Sequence, residues 1–317
     1  MLMFSLSTTA RKALAITSIA ALSLGAAACN RGESSDGEGG GSVTLALSTQ
    51  TNPFFVELRD GAQAKADELG IELDVQDASD DAATQADQLR NAETSGADVV
   101  IVNPTDSDAV GSAVESLNNA EIPVIAVDRS SNAGDVASFV ASDNVAGGKQ
   151  AAQALAESIG EEGDILVLQG IAGSSASRDR GQGFEEGIAE YPDINVVAKQ
   201  TANFDRTEGL NVTTNLLQAN PNIKAIFAEN DEMALGAIEA LGARAGEEIK
   251  VFGFDGTEDG LAAVEEGTLE GTIAQQPDEL GARAVEQAAT LLEGGTAEAE
   301  VPVEVVTVTG ENVAEFK

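Results

Sequence analysis

The 317-residue sequence has no histidine, no tryptophan and one cysteine, and aromatic residues make up only 3% of it. The absence of histidine excludes the Ser-His-Asp and Cys-His forms of nucleophilic catalysis and removes the commonest metal ligand. A single cysteine excludes an internal disulfide. Basic residues are also scarce, with 17 lysines and arginines against 54 acidic residues and a net charge of −37. This charge argues against nucleic-acid binding and against direct adhesion to anionic lipid, since both require a basic surface.

The amino terminus carries the features of an export signal. Arg11 and Lys12 precede an apolar run over residues 13–24, which is followed by small residues up to Cys29. This three-part layout is typical of a secretory signal over residues 1–28. A helix over the run and the small residues would be about 24 Å long, which is short of the roughly 30 Å hydrocarbon core of a membrane. The sequence therefore favours a cleaved signal over a membrane-spanning anchor.

The residues around Cys29 resemble the lipobox of bacterial lipoproteins, in which the cysteine is acylated and becomes the first residue of the mature chain. The pattern departs from that family at Ala26, where leucine is usual, and Ala26-Ala27-Ala28 also fits an ordinary A-x-A cleavage site. We expect lipidation at Cys29, with a soluble secreted or periplasmic form as the alternative. Residues 30–42 carry no apolar side chain. Residues 29–42 are therefore predicted to be a flexible, lipid-anchored tether with a reach of about 20 Å.

From Val43 onward, short apolar runs alternate with helical patterns, which is typical of a parallel sheet covered by helices. The predicted strands are 43–47, 71–76, 98–102, 123–127, 164–168, 195–198, 225–227, 250–254 and 271–274. The predicted helices are 54–69, 81–94, 107–119, 146–159, 178–190, 207–218, 232–241, 258–266 and 279–292, and an apolar tail follows at 301–308. Nine or ten strand–helix units would make one very large sheet, so the pattern favours an α/β protein with two similar lobes. Because no Pro/Gly-rich linker separates them, we expect the chain to cross between the lobes several times.

The stretch from Ser48 to Phe55 follows the first predicted strand, at the sheet edge where open α/β sheets bind ligands. Phe54 and Phe55 would lie in the first turn of a helix, where neighbouring side chains point about 100° apart, so they are not both expected in the core. An aromatic face suits the apolar C–H face of a sugar, while Ser48 and Asn52 offer hydrogen bonds to hydroxyls. The alternative is an ordinary helix start with one core and one exposed phenylalanine.

Polar residues also follow several other predicted strands. They are Asp128-Arg129, Glu229-Asn230-Asp231, Asp255-Gly256 and Gln275-Gln276. Because the carboxyl ends of parallel strands meet at one sheet edge, we expect these groups to converge on a single crevice. Carboxylates accept hydrogen bonds, guanidinium groups donate them and amides do both, which suits the recognition of hydroxyl groups. No G-x-x-x-x-G-K-[ST] motif occurs, so the sequence does not predict a P-loop ATPase.

Residues 43–317 are similar to the bacterial ribose-binding proteins, which are the substrate-binding components of sugar ABC importers. The matching motifs are Asn52-Pro53-Phe54-Phe55, Asn103-Pro104-Thr105-Asp106-Ser107-Asp108-Ala109-Val110, Ala141-Ser142-Asp143-Asn144, Leu168-Gln169-Gly170-Ile171-Ala172-Gly173, Asn230-Asp231-Glu232-Met233-Ala234-Leu235-Gly236 and Gly253-Phe254-Asp255-Gly256-Thr257. The resemblance implies the fold of the type I periplasmic binding proteins, with two doubly wound parallel-sheet lobes. It places the first lobe at 43–142 plus 276–304 and the second at 143–275 plus 305–317, with three hinge crossings near Ser142, Gln275 and Glu304.

The resemblance also implies the contacts to the sugar. Matched motif by motif, they are Ser48, Asn52, Phe54, Phe55, Asp128 and Arg129 in the first lobe and Arg180, Phe204, Asn230, Asp255 and Gln275 in the second. The three phenylalanines would be stacking walls and the polar residues hydroxyl partners. The implied partners are D-ribose or a related monosaccharide, such as allose, another pentose or a signalling furanose, and a membrane permease. We expect a monomer with no cofactor, no metal site and no nucleic acid.

Two other classes of function use a fold of this kind. A sugar-responsive repressor would need an amino-terminal DNA-binding helix pair, and in this chain that place holds the predicted signal and tether. An enzyme could use Asp128, Asp255 and Arg180 in acid–base catalysis, although paired carboxylates are equally expected in a sugar receptor. The sequence therefore favours a lipid-tethered receptor over both alternatives.

Overall fold

The computed structural model describes residues 40–316, which form two sheets of six strands each, flanked by helices. In chain order the strands are β1 (Gly40–Leu47), β2 (Ile71–Asp77), β3 (Val99–Val102), β4 (Val124–Val127), β5 (Ser138–Ser142), β6 (Gly163–Gln169), β7 (Ile194–Thr201), β8 (Ala225–Ala228), β9 (Lys250–Asp255), β10 (Gly271–Ala274), β11 (Glu300–Val303) and β12 (Val306–Thr309). The helices are α1 (Pro53–Leu69), α2 (Ala82–Ser95), α3 (Gly111–Asn119), α4 (Asn144–Ser158), α5 (Ser175–Ile188), α6 (Arg206–Ala219), α7 (Asp231–Leu241), α8 (Glu258–Glu266) and α9 (Pro277–Leu292).

The two sheets have related strand orders. The first runs β11-β5-β4-β3-β1-β2 and is parallel throughout. The second runs β12-β10-β9-β8-β6-β7, and in it only β12 is antiparallel to its neighbour. We call the first sheet and its helices the first lobe, and the second sheet and its helices the second lobe. Because parallel strands end at a common edge, residues that follow different strands come together there.

The chain passes between the two lobes three times. It leaves β5 for α4, returns from β10 to α9, and crosses again between β11 and β12. These passages confirm the predicted α/β fold of two parallel-sheet lobes joined by three crossings. The assignment of α9 to the first lobe follows from Leu280 and Ala284, which pack in the same apolar cluster as Leu58 of α1.

The core lies on both faces of each sheet, and β3 shows how the sequence produces it. Successive side chains of a strand point to opposite faces. Val99 and Ile101 pack with α1 and α9, whereas Val100 and Val102 pack with α2 and α3. All four side chains are buried, so β3 is a continuous apolar run of the kind expected for a central parallel strand. The second lobe is built in the same way, with α4 and α5 on one face and α6, α7 and α8 on the other.

Two glycines allow α4 and α5 to pack backbone against backbone. A Cβ atom on Gly148 would overlap the main-chain oxygen of Arg180, and one on Gly183 would overlap the main-chain oxygen of Val145. Glycine is therefore required at both positions for this close approach. The consequence for the binding site is that the main chain at Arg180 is held firmly against α4.

The structure differs from the predicted elements mainly near the crossings. The strand β5 was not predicted, because only Phe139, Val140 and Ala141 lie between two serines and the apolar run is too short to stand out. The tail predicted at 301–308 is two strands in different lobes, separated by the third crossing. The strand β1 begins at Gly40, so Gly40 and Ser42 of the predicted tether pair with β2.

The predicted signal at 1–28, the lipidated Cys29 and the tether up to residue 39 lie outside the described residues. Within residues 40–316, no helix has the length and hydropathy that crossing a bilayer requires.

Candidate functional site

A cavity lies between the two lobes, at the carboxyl ends of their parallel strands. Its walls border about 230 Å³ of space that protein atoms do not fill, part of which is open to solvent. Nine of the eleven predicted contact residues line it, together with Ala176; the full lining is Asn52, Phe54, Phe55, Asp128, Arg129, Ala176, Arg180, Phe204, Asn230 and Asp255. The other two predicted residues, Ser48 and Gln275, lie directly behind this lining and contact residues of the site.

Aromatic rings and guanidinium groups alternate across the cavity. Phe54 and Phe55 meet edge to face with ring centroids 5.1 Å apart. The guanidinium of Arg129 lies 5.1 Å from the Phe55 ring and 5.5 Å from the Phe204 ring, so it bridges the two lobes. Both rings at the start of α1 are buried, each with 3% of its surface exposed. The alternative of one core and one exposed phenylalanine was wrong, and so was the expectation that the two are not both in the core, because both rings pack in the apolar cluster of the first lobe while they also line the cavity.

Asp128 is the carboxylate of the first lobe. Its Oδ2 accepts a 3.1 Å hydrogen bond from the Asn103 amide and lies 3.5 Å from Arg129 Nε, whereas its Oδ1 is buried with no hydrogen-bond partner among the described residues. Burial raises the pKa of Asp128, and the charges of Arg129 and Arg180 oppose that rise. Asp128 also has a φ of 63°, a strained conformation for a residue other than glycine. A lining residue of the cavity therefore combines a strained main chain with an unpartnered acceptor.

Ser48 acts on the site through Asn103. The Ser48 hydroxyl donates a 2.6 Å hydrogen bond to Asn103 Oδ1, and the main-chain N–H of Ser48 donates to the same oxygen at 3.2 Å. The Asn103 amide nitrogen, in turn, donates to Asp128 and to the main-chain oxygen of Val127. The sequence analysis quoted Asn103 within a motif but assigned it no role. Its position at the end of β3, among other strand ends that carry polar residues, was the signal that could have found it.

Asp255 is the matching carboxylate of the second lobe. Its Oδ1 accepts hydrogen bonds from Gln275 Nε2 at 2.7 Å and from Arg180 Nη1 at 3.3 Å. Burial raises the pKa of Asp255 well above its usual range, against the opposing charge of Arg180. The φ of Asp255 is 129°, so Asp255 is the second acidic residue of the site with a strained main chain. Gln275 Oε1 is buried with no hydrogen-bond partner among the described residues, which leaves a second unpartnered acceptor close to this carboxylate.

Arg180 is held from three sides. Its Nε donates to Asn144 Oδ1 at 2.8 Å, and its Nη1 donates to the main-chain oxygen of Glu229 at 2.7 Å. The guanidinium lies 3.9 Å from the Phe254 ring and 5.9 Å from the Phe204 ring. Asn144 and Phe254 stand in motifs of the family resemblance that carried no predicted role, since only the packing of α4 against α5 brings Asn144 to Arg180. This fixed geometry leaves the remaining guanidinium donors to face the cavity.

The two asparagines of the lining also cap helices. Asn52 Oδ1 accepts a hydrogen bond from the main-chain N–H of Phe54 at the start of α1, and Asn230 Oδ1 accepts one from that of Met233 at the start of α7. The Asn230 amide nitrogen donates to the main-chain oxygen of Phe204 at 3.2 Å. The φ of Phe204 is 61°, so this bond helps to hold a strained loop whose ring forms one wall. Each asparagine therefore fixes an aromatic wall in addition to lining the cavity.

The loop after β9 is supported by Asp231, which was expected in the crevice with the other polar residues that follow strands but does not line the cavity. The carboxylate of Asp231 accepts hydrogen bonds from the main-chain N–H groups of Gly256 and Thr257, both at 2.9 Å, and from the Thr272 hydroxyl at 2.7 Å. Burial raises its pKa to about 6, and these bonds oppose the rise. Asp231 is thus a structural carboxylate that fixes the residues next to Asp255.

Together the residues form a small polar cavity between two aromatic walls. Each lobe supplies one carboxylate and one arginine, and acceptors on both sides are buried without a partner. Unpartnered buried acceptors are costly unless a ligand satisfies them. A polyhydroxylated molecule with an apolar face provides the donors for these acceptors and a surface for the rings.

The fold and the cavity place the chain among two-lobed solute receptors, and comparison with known proteins agrees. The model of the periplasmic binding protein domain matches residues 43–296, and the chain belongs to this family. A ribose import binding protein of Salmonella typhimurium is 50% identical over 262 residues, which cover 83% of this chain and 88% of that protein. One of Haemophilus influenzae is 46% identical over 299 residues, which cover 94% of this chain and 99% of that protein. The predicted resemblance is confirmed.

Solved structures of sugar receptors have the same architecture. An ABC transporter periplasmic solute-binding protein of Actinobacillus succinogenes with bound D-allose has a TM-score of 0.82 at 35% identity, covering 87% of this chain and 99% of that one. The Caulobacter myo-inositol binding protein with bound myo-inositol has a TM-score of 0.84 at 33% identity, covering 88% and 96%. The family therefore includes receptors for several different polyols on one scaffold.

Proposed function

We propose that this chain is an extracytoplasmic receptor that binds D-ribose between its two lobes and delivers it to an ABC importer. The observation that carries the proposal is the pairing of Asp128 with Arg129 and of Asp255 with Arg180 around one cavity, where the lining residue Asp128 has a buried acceptor oxygen with no partner among the described residues. The 50% identity to a ribose import binding protein supports ribose as the ligand.

The chemistry of the cavity suits a single sugar ring. Ionised carboxylates accept hydrogen bonds from hydroxyl groups, guanidinium groups donate to hydroxyl and ring oxygens, and the rings of Phe54, Phe55 and Phe204 offer apolar faces. Side chains from both lobes approach closely around this small cavity, which favours a monosaccharide over a longer saccharide. With both lobes contributing hydrogen bonds, a bound sugar stabilises the closed arrangement.

The second candidate is a receptor for another polyol on the same site. A structural neighbour that binds D-allose and a 36% identical xylitol-binding protein of Mycolicibacterium smegmatis favour this alternative. An enzymatic role is less well supported, because Asp128 and Asp255 already contact the positive side chains and amides expected of hydroxyl acceptors. We therefore propose that the sugar leaves the site chemically unchanged.

The anchoring proposal concerns the amino terminus. We propose that residues 1–28 are removed, that Cys29 carries acyl groups, and that residues up to the start of β1 tether a monomeric receptor to the outer face of the membrane. Its support is the position of the chain's one cysteine directly after a signal-like segment. Intact mass of the membrane-extracted protein should show an acylated Cys29 as the first residue. A soluble mature form with a free thiol would contradict the proposal.

Calorimetry with a panel of monosaccharides and polyols tests the ligand. D-Ribose should bind at least about 100-fold more tightly than glucose or galactose, because a mismatched sugar leaves buried polar groups unpaired. Tighter binding of allose or xylitol would select the second candidate. Recovery of ribose unchanged after prolonged incubation with the protein is the expected result for a receptor, and conversion to a product would indicate an enzyme.

A further inference from the structure

Glu229 is a fully buried carboxyl group of the second lobe that does not line the sugar cavity. Its Oε2 accepts a 2.7 Å hydrogen bond from the main-chain N–H of Gly170 and another from the Ser177 hydroxyl. Its Oε1 has no hydrogen-bond partner among the described residues. A buried carboxyl group with one unused oxygen is costly to maintain. Its presence here calls for a role beyond filling space.

Both hydrogen-bond donors of Glu229 support a side chain that lines the cavity. Gly170 lies so close beneath the Phe204 ring that a Cβ atom on it would overlap the ring. Ser177 lies on α5 one turn before Arg180, and the main-chain oxygen of Glu229 accepts the Arg180 hydrogen bond directly. Glu229 therefore links Gly170, which lies beneath the Phe204 ring, to the helix α5 and to the guanidinium of Arg180.

We propose that Glu229 is a positioning residue of the sugar site, whose carboxyl group holds Gly170 and α5 so that Phe204 and Arg180 meet the ligand together. The inference rests on the proposed function, since it concerns the geometry of the same site. It gives Glu229 no contact with the sugar. It acts on the site through the hydrogen bonds that it accepts from Gly170 and Ser177, both within the second lobe.

The two hydrogen bonds that Glu229 accepts do not require its carboxyl group to be ionised. Arg180 and Glu185, both on α5, are the charged groups that act on it; Arg180 favours the ionised form and Glu185 opposes it. Asp231, on the adjoining helix, directs its carboxylate to the loop after β9 instead. Burial raises the pKa of Glu229 to about 7, so both forms are populated near neutrality. Oε2 can accept its two hydrogen bonds in either form, and a glutamine oxygen can accept the same two.

The test uses Glu229→Ala and Glu229→Gln in the full-length protein, with D-ribose affinity measured by calorimetry. Glu229→Ala should weaken binding about tenfold or more, because two supporting hydrogen bonds are lost, while Glu229→Gln should stay within about threefold of the native protein. In an Arg180→Lys background, Glu229→Ala should cost clearly less than in the native background, since the group that it positions is already altered. Gln182→Ala, an exposed change on the same helix, is the matched control and should have little effect.

Three results would overturn the inference: native affinity in Glu229→Ala, an equal loss in Glu229→Gln, or full additivity with Arg180→Lys. The Nε–H resonance of Arg180 provides a readout that needs no ligand. It should move or broaden in unliganded Glu229→Ala and stay in place in Glu229→Gln. An unmoved resonance in the alanine variant would refute the positioning role even if another sugar proved to be the ligand. A native protein that bound no sugar would instead refute the proposed function.

Discussion

The main-chain N–H of Ser107 in the first lobe donates a 3.0 Å hydrogen bond to the main-chain oxygen of Gly173 in the second. Nearby, the main-chain N–H of Ser130 donates to the Ser175 hydroxyl at 2.8 Å, again from lobe to lobe. None of these four residues lines the sugar cavity. The two bonds, which we call the latch, therefore favour the closed arrangement independently of contacts to the ligand.

The latch can be weakened without touching the sugar site. A Cβ atom at Gly173 would overlap the carboxylate of Asp106 in the first lobe. We expect Gly173→Ala to push the lobes apart and to weaken ribose binding by about 1 to 3 kcal/mol, which corresponds to the loss of two hydrogen bonds of about 0.5 to 1.5 kcal/mol each. Calorimetry measures the change in affinity.

Two controls show whether the effect arises at the latch. Gly310→Ala, at a glycine with no neighbouring atom within 4 Å of the added Cβ, should leave affinity unchanged. Asp106→Ala combined with Gly173→Ala should recover part of the lost affinity, because it removes the overlapping carboxylate. Equal affinities of Gly173→Ala and the native protein would show that the latch does not contribute to closure.

Phe204 should matter more for binding than for folding. Its ring faces the cavity, where it lies near both guanidinium groups, and it is only partly buried. Phe204→Ala should weaken ribose binding by about 1 to 3 kcal/mol through lost stacking and burial. Phe184, stacked on Phe227 with centroids 4.2 Å apart in the core, is the comparison. Phe184→Ala should lower the free energy of unfolding by about 3 to 5 kcal/mol. An equal loss of unfolding free energy in Phe204→Ala would mark Phe204 as a core residue.

The stability of the fold should depend on pH through Glu229. The pKa of its carboxyl group is about 7 in the folded protein and 4.5 as the ordinary value, so the folded state holds an extra proton between these two pH values. The stabilisation of the folded state that this raised pKa provides is fully present below about pH 4.5 and is lost as the pH rises through about 7. The difference corresponds to about 3 kcal/mol at most.

Urea unfolding at pH 4.5, 6 and 7.5 measures this dependence. The side chain of Glu229→Gln cannot titrate. The free energy of unfolding of this variant, relative to that of the native protein, should therefore increase as the pH rises over this range. Glu311→Gln, at an exposed position, should follow the native protein. Parallel pH profiles for the native protein and Glu229→Gln would contradict the proposed ionisation.

The sequence alone was enough to predict those site residues whose position depends only on the topology of the sheets. Asp128 and Asp255 each stand at the carboxyl end of a strand, and a parallel sheet brings such residues together whatever the details of packing. Phe204 and Arg180 were predicted through the family resemblance, because neither lies directly after a strand. Both reach the cavity in the structure.

The supporting residues could not be predicted because their roles depend on three-dimensional contacts. Asn103 reads as an ordinary loop amide until Ser48 and Asp128 are seen on either side of it. Asn144 becomes a partner of Arg180 only because glycines let α4 and α5 approach closely. Glu229 was expected in the crevice with the other polar groups that follow strands, and only the structure shows that it is buried behind the cavity lining.

Solution scattering with and without ribose tests the central claim most directly, namely that one sugar is held by both lobes. Saturating ribose should reduce the radius of gyration of the native protein, because the closed form gains hydrogen bonds from both carboxylates. Asp128→Ala and Asp255→Ala should each abolish the reduction at the same ribose concentration, since each loses about 1.5 to 3 kcal/mol of hydrogen bonding to a charged group. A native radius of gyration that saturating ribose leaves unchanged, or a reduction that survives the loss of either carboxylate, would contradict the account.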